Sequence, residues 1–309
     1  MKDKQTIDDI ANSSIYDIDK TWINKSFSQA AEAYDGVAVL QKEVASRLID
    51  RLDLVKLRPE TILDVGSGTG FCSKQLAKRY KKSSVISLDF SHNMLAHTRS
   101  KEGFFKRFNS PFHYLCADAE KIPLKDESVD LIVSSLALQW CDLESVFSHF
   151  RRVIQPEGLI MFSTMGPDTL KELRQCWSKV DDKAHVSAFI DMHDIGDALM
   201  RAGFSDPVMD VETITMTYPS VKKLMQDLKA IGSRNALQGR AKGLTGKNKL
   251  KRMIEAYEML RDNNLLPASY EIVYGHAWAP KLAITPSQIE NAFSIAIDPK
   301  THSSTHHKK

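Results

Sequence analysis

An α/β fold is predicted: a doubly wound, mostly parallel seven-stranded sheet, with helices before it and a helical cap inserted between its last two strands. Three observations predict it. Short apolar runs alternate with helix-patterned segments over residues 61–164, the signature of βαβ units. The first of those runs ends in Gly66-Ser67-Gly68-Thr69-Gly70, a strand-to-helix turn. Two alternating runs, 208–218 and 270–279, bracket a basic stretch with helical periodicity.

Residues 1–20 are polar and acidic and are expected to form a flexible arm. Residues 22–54 read as helical, because Ala30, Ala31, Tyr34, Val37, Ala38, Leu40, Val44, Leu48 and Leu52 recur at helical spacing. Strands are expected at 62–65, 85–89, 113–118, 129–135 and 159–164, with helices from Cys72, from Asn93 and around 143–153. Near-continuous apolar character in those strands implies cover on both faces. Beyond residue 164 helices are expected at 168–180 and 192–202, the second ended by Gly203. Helices at 220–231 and 247–261 form the cap, residues 219–266, and 270–279 is the last strand. One domain therefore spans 21–280, and the polar tail 281–309 is expected to be disordered.

The chain has 309 residues, 42% hydrophobic and 26% charged, enough to bury a core and unlike collagen, coiled-coil or disordered compositions. Cys72, Cys116, Cys141 and Cys176 stand far apart, so neither a disulfide framework nor a zinc site is expected, and a reducing cytoplasm fits. No basic, apolar leader and no run of 18 apolar residues is present, so no export signal and no membrane anchor are expected. Net charge is only +3, yet residues 219–266 hold eleven Lys/Arg against four Asp/Glu. From Lys229 to Arg252 eight bases stand with no acid, a local positive field suited to an acidic partner.

The glycines after the first strand let the backbone approach a ligand closely, and their GxGxG order differs from the dinucleotide GxGxxG. Asp64, just before them, offers a carboxylate to a ligand ammonium. In an open parallel sheet the carboxyl ends of adjacent strands face one crevice. Asp89 ends the second strand, placed to accept both hydroxyls of a ribose, and Met94 could lie against a nucleobase. Asp118 ends the third strand, placed to accept from an adenine amino group. A ligand carrying both an amino acid and a nucleoside would use all three. Cys141 has no partner motif for a covalent mechanism. The fourth strand exits through Ser134-Ser135-Leu136-Ala137-Leu138-Gln139-Trp140, which lacks the Asn/Asp-Pro-Pro-aromatic grip on exocyclic base amines; a nucleic acid is not the expected substrate.

These residues resemble the class I, Rossmann-like methyltransferases that use S-adenosylmethionine, over about residues 60–165. Beyond that core, Phe27 to Asp35 (FSQAAEAYD), Leu138-Gln139-Trp140-Cys141, Gly166 to Trp177 (GPDTLKELRQCW), Leu228 to Gly232, Gly239-Arg240 and Tyr274 to Trp278 (YGHAW) resemble the malonyl-acyl carrier protein O-methyltransferases of biotin synthesis, over roughly 22–280. The resemblance implies methylation of the free carboxylate of a malonyl thioester, with S-adenosylhomocysteine as by-product and no metal. It implies cofactor contacts from Tyr34, Asp64, Gly66, Gly68, Gly70, Asp89, Phe90, Met94, Asp118, Ala119 and Ser134. It implies Tyr34, Gln139 and Trp140 at the reacting centre, and Arg174, His185, His276 and Trp278 toward the substrate, while the basic field of the cap adds Arg240 and Lys242 on the carrier's side. A monomer acting on a malonyl-loaded acyl carrier protein is expected. An assembly factor of the same fold, or a quinone-type small-molecule methyltransferase, is the alternative. A buried carboxylate must be paired, so a cation or several donors are expected near the transferred methyl.

Overall fold

A computed structural model describes residues 18–102, 110–233, 236 and 246–281. Helix α1 (Lys20–Ala30) is capped by Asp19, whose carboxylate accepts from Trp22 N–H at 3.0 Å. A one-turn helix α2 (Tyr34–Val37) and α3 (Val39–Asp50) follow, so the expected helical stretch is broken twice. Then come β1 (Thr61–Val65), α4 (Phe71–Arg79), β2 (Ser84–Asp89), α5 (His92–Ser100), β3 (Phe112–Cys116), β4 (Val129–Ser135), α6 (Leu143–Val153) and β5 (Ile154–Met165). The second half holds α7 (Lys171–Ser178), α8 (Met192–Arg201), β6 (Ser205–Tyr218), α9 (Val221–Ala230), α10 (Lys247–Glu258) and β7 (Leu266–Trp278). No helix among the described residues is long and apolar enough to cross a membrane.

The seven strands lie in the order β3-β2-β1-β4-β5-β7-β6. β1 to β5 are parallel, and β7 runs antiparallel between β5 and β6. Alternation within each strand divides the core in two. Ile62, Leu131, Val133, Leu159 and Met161 pack under α3, α4 and α7, while Leu63, Ile132, Ile160 and Phe162 pack under α6 and α8. This is why the central strands are apolar throughout.

The β6–β7 hairpin is longer than the sheet it joins. Ile272 pairs with Met165 at the carboxyl end of β5, so Leu266 to Glu271 overshoot that edge, by about 20 Å at the usual rise per strand residue. The overshoot carries α9 and α10 out on the crevice side. Val221, Leu224, Met253 and Tyr257 bury against Tyr218, Leu266 and Tyr270. Gly232, with φ +76°, packs so closely on α1 that a Cβ there would stand 3.1 Å from the Phe27 ring. The cap is thus stapled to the N-terminal helices, and Asp19 N–H donates to Ala236 O at 2.9 Å.

Candidate active site

The glycine turn is shaped by its neighbours. Gly66 has φ +70°, and a Cβ there would meet the Ala137 Cβ at 2.2 Å; Gly70 has φ +74° and faces Thr98 at 2.4 Å. Both positions need glycine to let the chain turn into α4. Gly66 and Ser67 N–H donate to Leu88 O, clamping the turn onto β2. At Gly68 (φ +52°) a Cβ would meet nothing within 4 Å, because that backbone borders open space.

That space is a cleft at the carboxyl ends of β1, β2 and β4, lined by Gly66, Gly68, Asp89, Phe90, Met94, Asp118 and Ala119 among others. Asp89 is the built feature of the cleft. Its Oδ2 accepts from Gly68 N–H and its Oδ1 from Ser91 N–H, each at 2.8 Å, which fixes the carboxylate while leaving one lone pair on each oxygen. Burial pushes its carboxyl up to about 6, although the two N–H bonds favour the anion. Asp118 caps the short turn Ala119–Lys121 through its Oδ1, and its Oδ2 receives the Lys20 ammonium at 2.7 Å. Lys20 also reaches Glu120 at 2.5 Å. The sequence reading missed Lys20, since nothing local to it signals a partner 98 residues away.

The roof comes from α1 and α2. Phe27 lies edge-on to Phe90 and Trp140, at 6.4 and 5.7 Å between ring centroids. Asn24 Nδ2 donates to Phe90 O at 3.0 Å, and the Ser28 and Ser91 hydroxyls meet at 2.9 Å. Asp35 pins α2 over the glycine turn by accepting from the Thr69 hydroxyl at 2.5 Å and from the Lys101 ammonium. Tyr34 closes the cleft from above. Burial, then the charges of Asp89 and Asp35, raise its phenol well above the usual range, so it is a neutral donor and no base.

A second, smaller pocket shares Leu138, Trp140 and Cys141 with the first, so these three residues stand between them. Gln139 lines this second cavity. Its Nε2 donates to Leu136 O at 2.7 Å, and its Oε1 accepts from the Thr164 hydroxyl at 3.3 Å. The remaining wall includes Ile18, Met165, Ile195, Ala236 and the segment 187–190. Burial pushes the Cys141 thiol up to about 12, so it stays protonated.

Several expected site residues lie elsewhere. Asp64 is fully buried, accepts from the Ser73 hydroxyl, and does not line the cleft; burial, opposed by that bond and reinforced by Asp89, pushes it up to about 7. Gly70 serves the turn. Ser134 is buried and donates to Val65 O at 3.0 Å, while its neighbour Ser135 lines the cleft. Arg174 spends its guanidinium on the carbonyls of Pro167, Thr169 and Ser187, at 2.7, 3.2 and 3.4 Å. It braces a loop and borders neither cavity. His185 stacks on Trp177 at 3.7 Å and bonds Asp181 at 2.7 Å, away from both cavities. His276 and Trp278 pair with Met161 and Leu159, toward the amino end of β5, because β7 is antiparallel. Arg240 and Lys242 lie outside the described residues. Among the described residues, the side chains lining the second cavity offer neutral donors, chiefly Thr164, Ser187 and Gln139, and Arg174 stands outside that lining.

A methyltransferase-domain family model matches residues 63–162. The chain is 50% identical over 266 residues to the malonyl-acyl carrier protein O-methyltransferase of Gallionella capsiferriformans, covering 85% of this chain and 92% of that one. It is 50% identical over 272 residues to the enzyme of that name from Methylovorus sp., covering 87% and 92%. Among solved structures, the YcgJ protein of Bacillus subtilis aligns with TM-score 0.52 at 13% identity, over 77% of this chain and 98% of that one. A SAM-dependent methyltransferase of Thermotoga maritima aligns with TM-score 0.50 at 16% identity, over 83% and 99%. These two likenesses bear on the fold, and the relatives at 50% identity on the family. With the glycine turn, the fixed Asp89 and the two adjoining cavities in the strand order of that fold, the chain belongs to the family of malonyl-acyl carrier protein O-methyltransferases.

Proposed function

We propose that this enzyme transfers a methyl group from S-adenosylmethionine to the free carboxylate of a malonyl thioester carried on acyl carrier protein, giving the malonyl methyl ester as an early step of biotin synthesis. The observation that carries the reading is the pair of adjoining cavities that share Leu138, Trp140 and Cys141: one is built around a fixed carboxylate, the other is apolar with a few neutral donors. The first fits the cofactor. Asp89 holds two free lone pairs for ribose hydroxyls, Phe90 and Met94 flank a base, Asp118 and Ala119 stand at its edge, and the open backbone at Gly68 leaves room for the remaining chain. When bound, the cofactor supplies a methyl group on a positively charged sulfur.

The protein's own part is alignment and exclusion of water. A malonyl carboxylate is already ionised at pH 7, so no general base is required. Gln139, held by Leu136 O and Thr164, and the Thr164 hydroxyl stand where donors can orient an acyl carboxylate beside Trp140. A low-polarity chamber destabilises an isolated anion and so favours a reaction in which its charge is lost. Holding the reacting atoms at contact distance supplies much of the rate. The basic cap, with Lys222, Lys229, Lys247 and Lys251 exposed on α9 and α10, faces outward for the acidic helices of a carrier.

The test is incubation with methyl-labelled cofactor and malonyl-carrier protein, malonyl-CoA or unloaded carrier. Label should appear as a base-labile ester on the malonyl group and never on unloaded carrier; label on the carrier polypeptide itself would overturn the reading. Reversing Arg240 and Lys242 to Glu should raise KM for the carrier substrate far more than for malonyl-CoA, and equal effects on both would remove the carrier from the cap.

A further inference from the structure

Basic residues of α10 divide into two sets. All four are exposed, but Lys249 and Arg252 bond back onto the segment after α7, which Lys247 and Lys251 do not. Lys249 Nζ donates to Asp181 Oδ2 at 2.8 Å, and Arg252 donates to Lys179 O at 3.1 Å. The other oxygen of Asp181 takes His185 Nε2 at 2.7 Å and Lys183 N–H at 3.2 Å. His185 in turn lies flat on Trp177 at 3.7 Å, with 8° between the planes. Asp181 therefore ties three things together: α7, α10 and its own following segment. The bonds from Lys249 and His185 hold its carboxyl well below the usual carboxylate range.

What this cluster holds is a wall. Residues 179–190 contain no helix or strand, so no ladder of backbone bonds fixes their path. Side-chain anchors must do it. Residues 187–190 line the second cavity, with Arg174 bonded to Ser187 O at one end of the segment and the Asp181 cluster at the other.

We propose that Asp181 and Lys249 are positioning residues that couple the basic cap to the wall of the acyl-binding cavity. The shape of that cavity then depends on the cap even when no carrier protein is bound. Neither residue touches the cofactor cleft. The proposal rests on the reading of the second cavity as the acyl site, and its test separates the two.

Asp181→Asn, Lys249→Ala, the double variant and Lys249→Arg are compared in the full-length enzyme. A small malonyl thioester, malonyl-N-acetylcysteamine, and malonyl-carrier protein serve as substrates. Each single change should raise KM for the small thioester about threefold to tenfold while leaving the cofactor Kd unchanged. The double variant should be no worse than either single, and Lys249→Arg should restore most of the loss. Hydrogen–deuterium exchange over residues 182–190, which needs no substrate, should speed up in both single variants, at least as much in Asp181→Asn as in Lys249→Ala. If Lys249→Ala affects only the carrier substrate and Asp181→Asn affects nothing, Lys249 is a docking lysine and the coupling is overturned. Additive losses would overturn it as well. If exchange rises as expected but the small thioester's KM stays at the wild-type value, the cluster positions the wall without setting acyl binding, and the proposal fails. Should the unaltered enzyme turn over no malonyl thioester at all, the functional reading fails, and the exchange data still decide whether Asp181 and Lys249 hold the segment.

Discussion

In the parallel half of the sheet, Gly68, Asp89, Met94 and Asp118 come from three different strand ends and meet around one cleft. At the antiparallel end, His276 and Trp278 sit in an equally suggestive run, YGHAW, yet pair with Met161 and Leu159, four and six positions before Met165 at the crevice edge of β5. The difference is strand direction. Parallel strands deliver their last residues to the same edge, whereas β7 delivers its first ones there and carries its last ones to the far side. A polar or aromatic residue late in a strand is thus informative only once the direction of that strand is known.

The largest expected effect breaks the comparison at its glycines. Gly66→Ala and Gly275→Ala each force a Cβ into contact, 2.2 Å from Ala137 and 2.3 Å from Phe162. Overpacking costs about 1–3 kcal/mol in each, and the positive φ of Gly66 adds about 1–2 kcal/mol. Denaturant unfolding should rank Gly66→Ala as the worse of the two. Only Gly66→Ala should also weaken cofactor binding in the folded fraction; equal losses of affinity would tie both ends of the sheet to the cleft.

Next in size is Asp89. Asp89→Ala should weaken S-adenosylmethionine by about 1–3 kcal/mol by calorimetry, whereas His276→Gln and Trp278→Phe should leave it unchanged. The pH dependence sharpens this. With its carboxyl pushed up to about 6, Asp89 takes a proton as pH falls through that value and loses acceptor capacity. Cofactor affinity should therefore be full at pH 7 and decline below about 6, and Asp89→Asn should flatten the profile. An unaltered decline in that variant would assign the titration to another group.

Arg174→Ala follows. A guanidinium braced against three carbonyls should cost about 1–2 kcal/mol of stability when removed. Turnover of a malonyl thioester should then fall only a few-fold, and a collapse of kcat/KM by several hundredfold would restore Arg174 as the substrate's counter-ion. Lys20→Ala is the smallest. Its bridge to Asp118 and Glu120 is partly exposed, so about 0.2–1 kcal/mol is expected, read as a few-fold faster, salt-dependent cofactor dissociation.

Local pattern carried the sheet and half of the site. Alternating apolar runs place β1, β2, β4 and the core of β5 because buried parallel strands admit little else. Glycines ahead of a helix mark a turn that only glycine can make, as the Ala137 and Thr98 contacts show. Strand ends in β5 and β7 ran longer than the pattern indicated: Leu266 to Ser269 are held by pairing with Tyr218 to Thr215 of β6, and Gln155 to Gly158 form a bulge in the β4–β5 register, tied at Glu157 and Gly158 to Ala279.

The residues by themselves determined the fold class, the glycine turn and the carboxylate at the end of β2, because each depends on chain neighbours and on strand ends that parallel topology brings together. Tertiary structure alone decided which of the candidates reach a cavity. Lys20 meets Asp118 across 98 residues, Arg174 finds carbonyls where an anion was expected, and His185 finds Trp177 and Asp181. Such pairings follow from which surfaces are pressed together when the core closes, and the sequence spacing of a single cation or histidine holds no record of the surface it will meet.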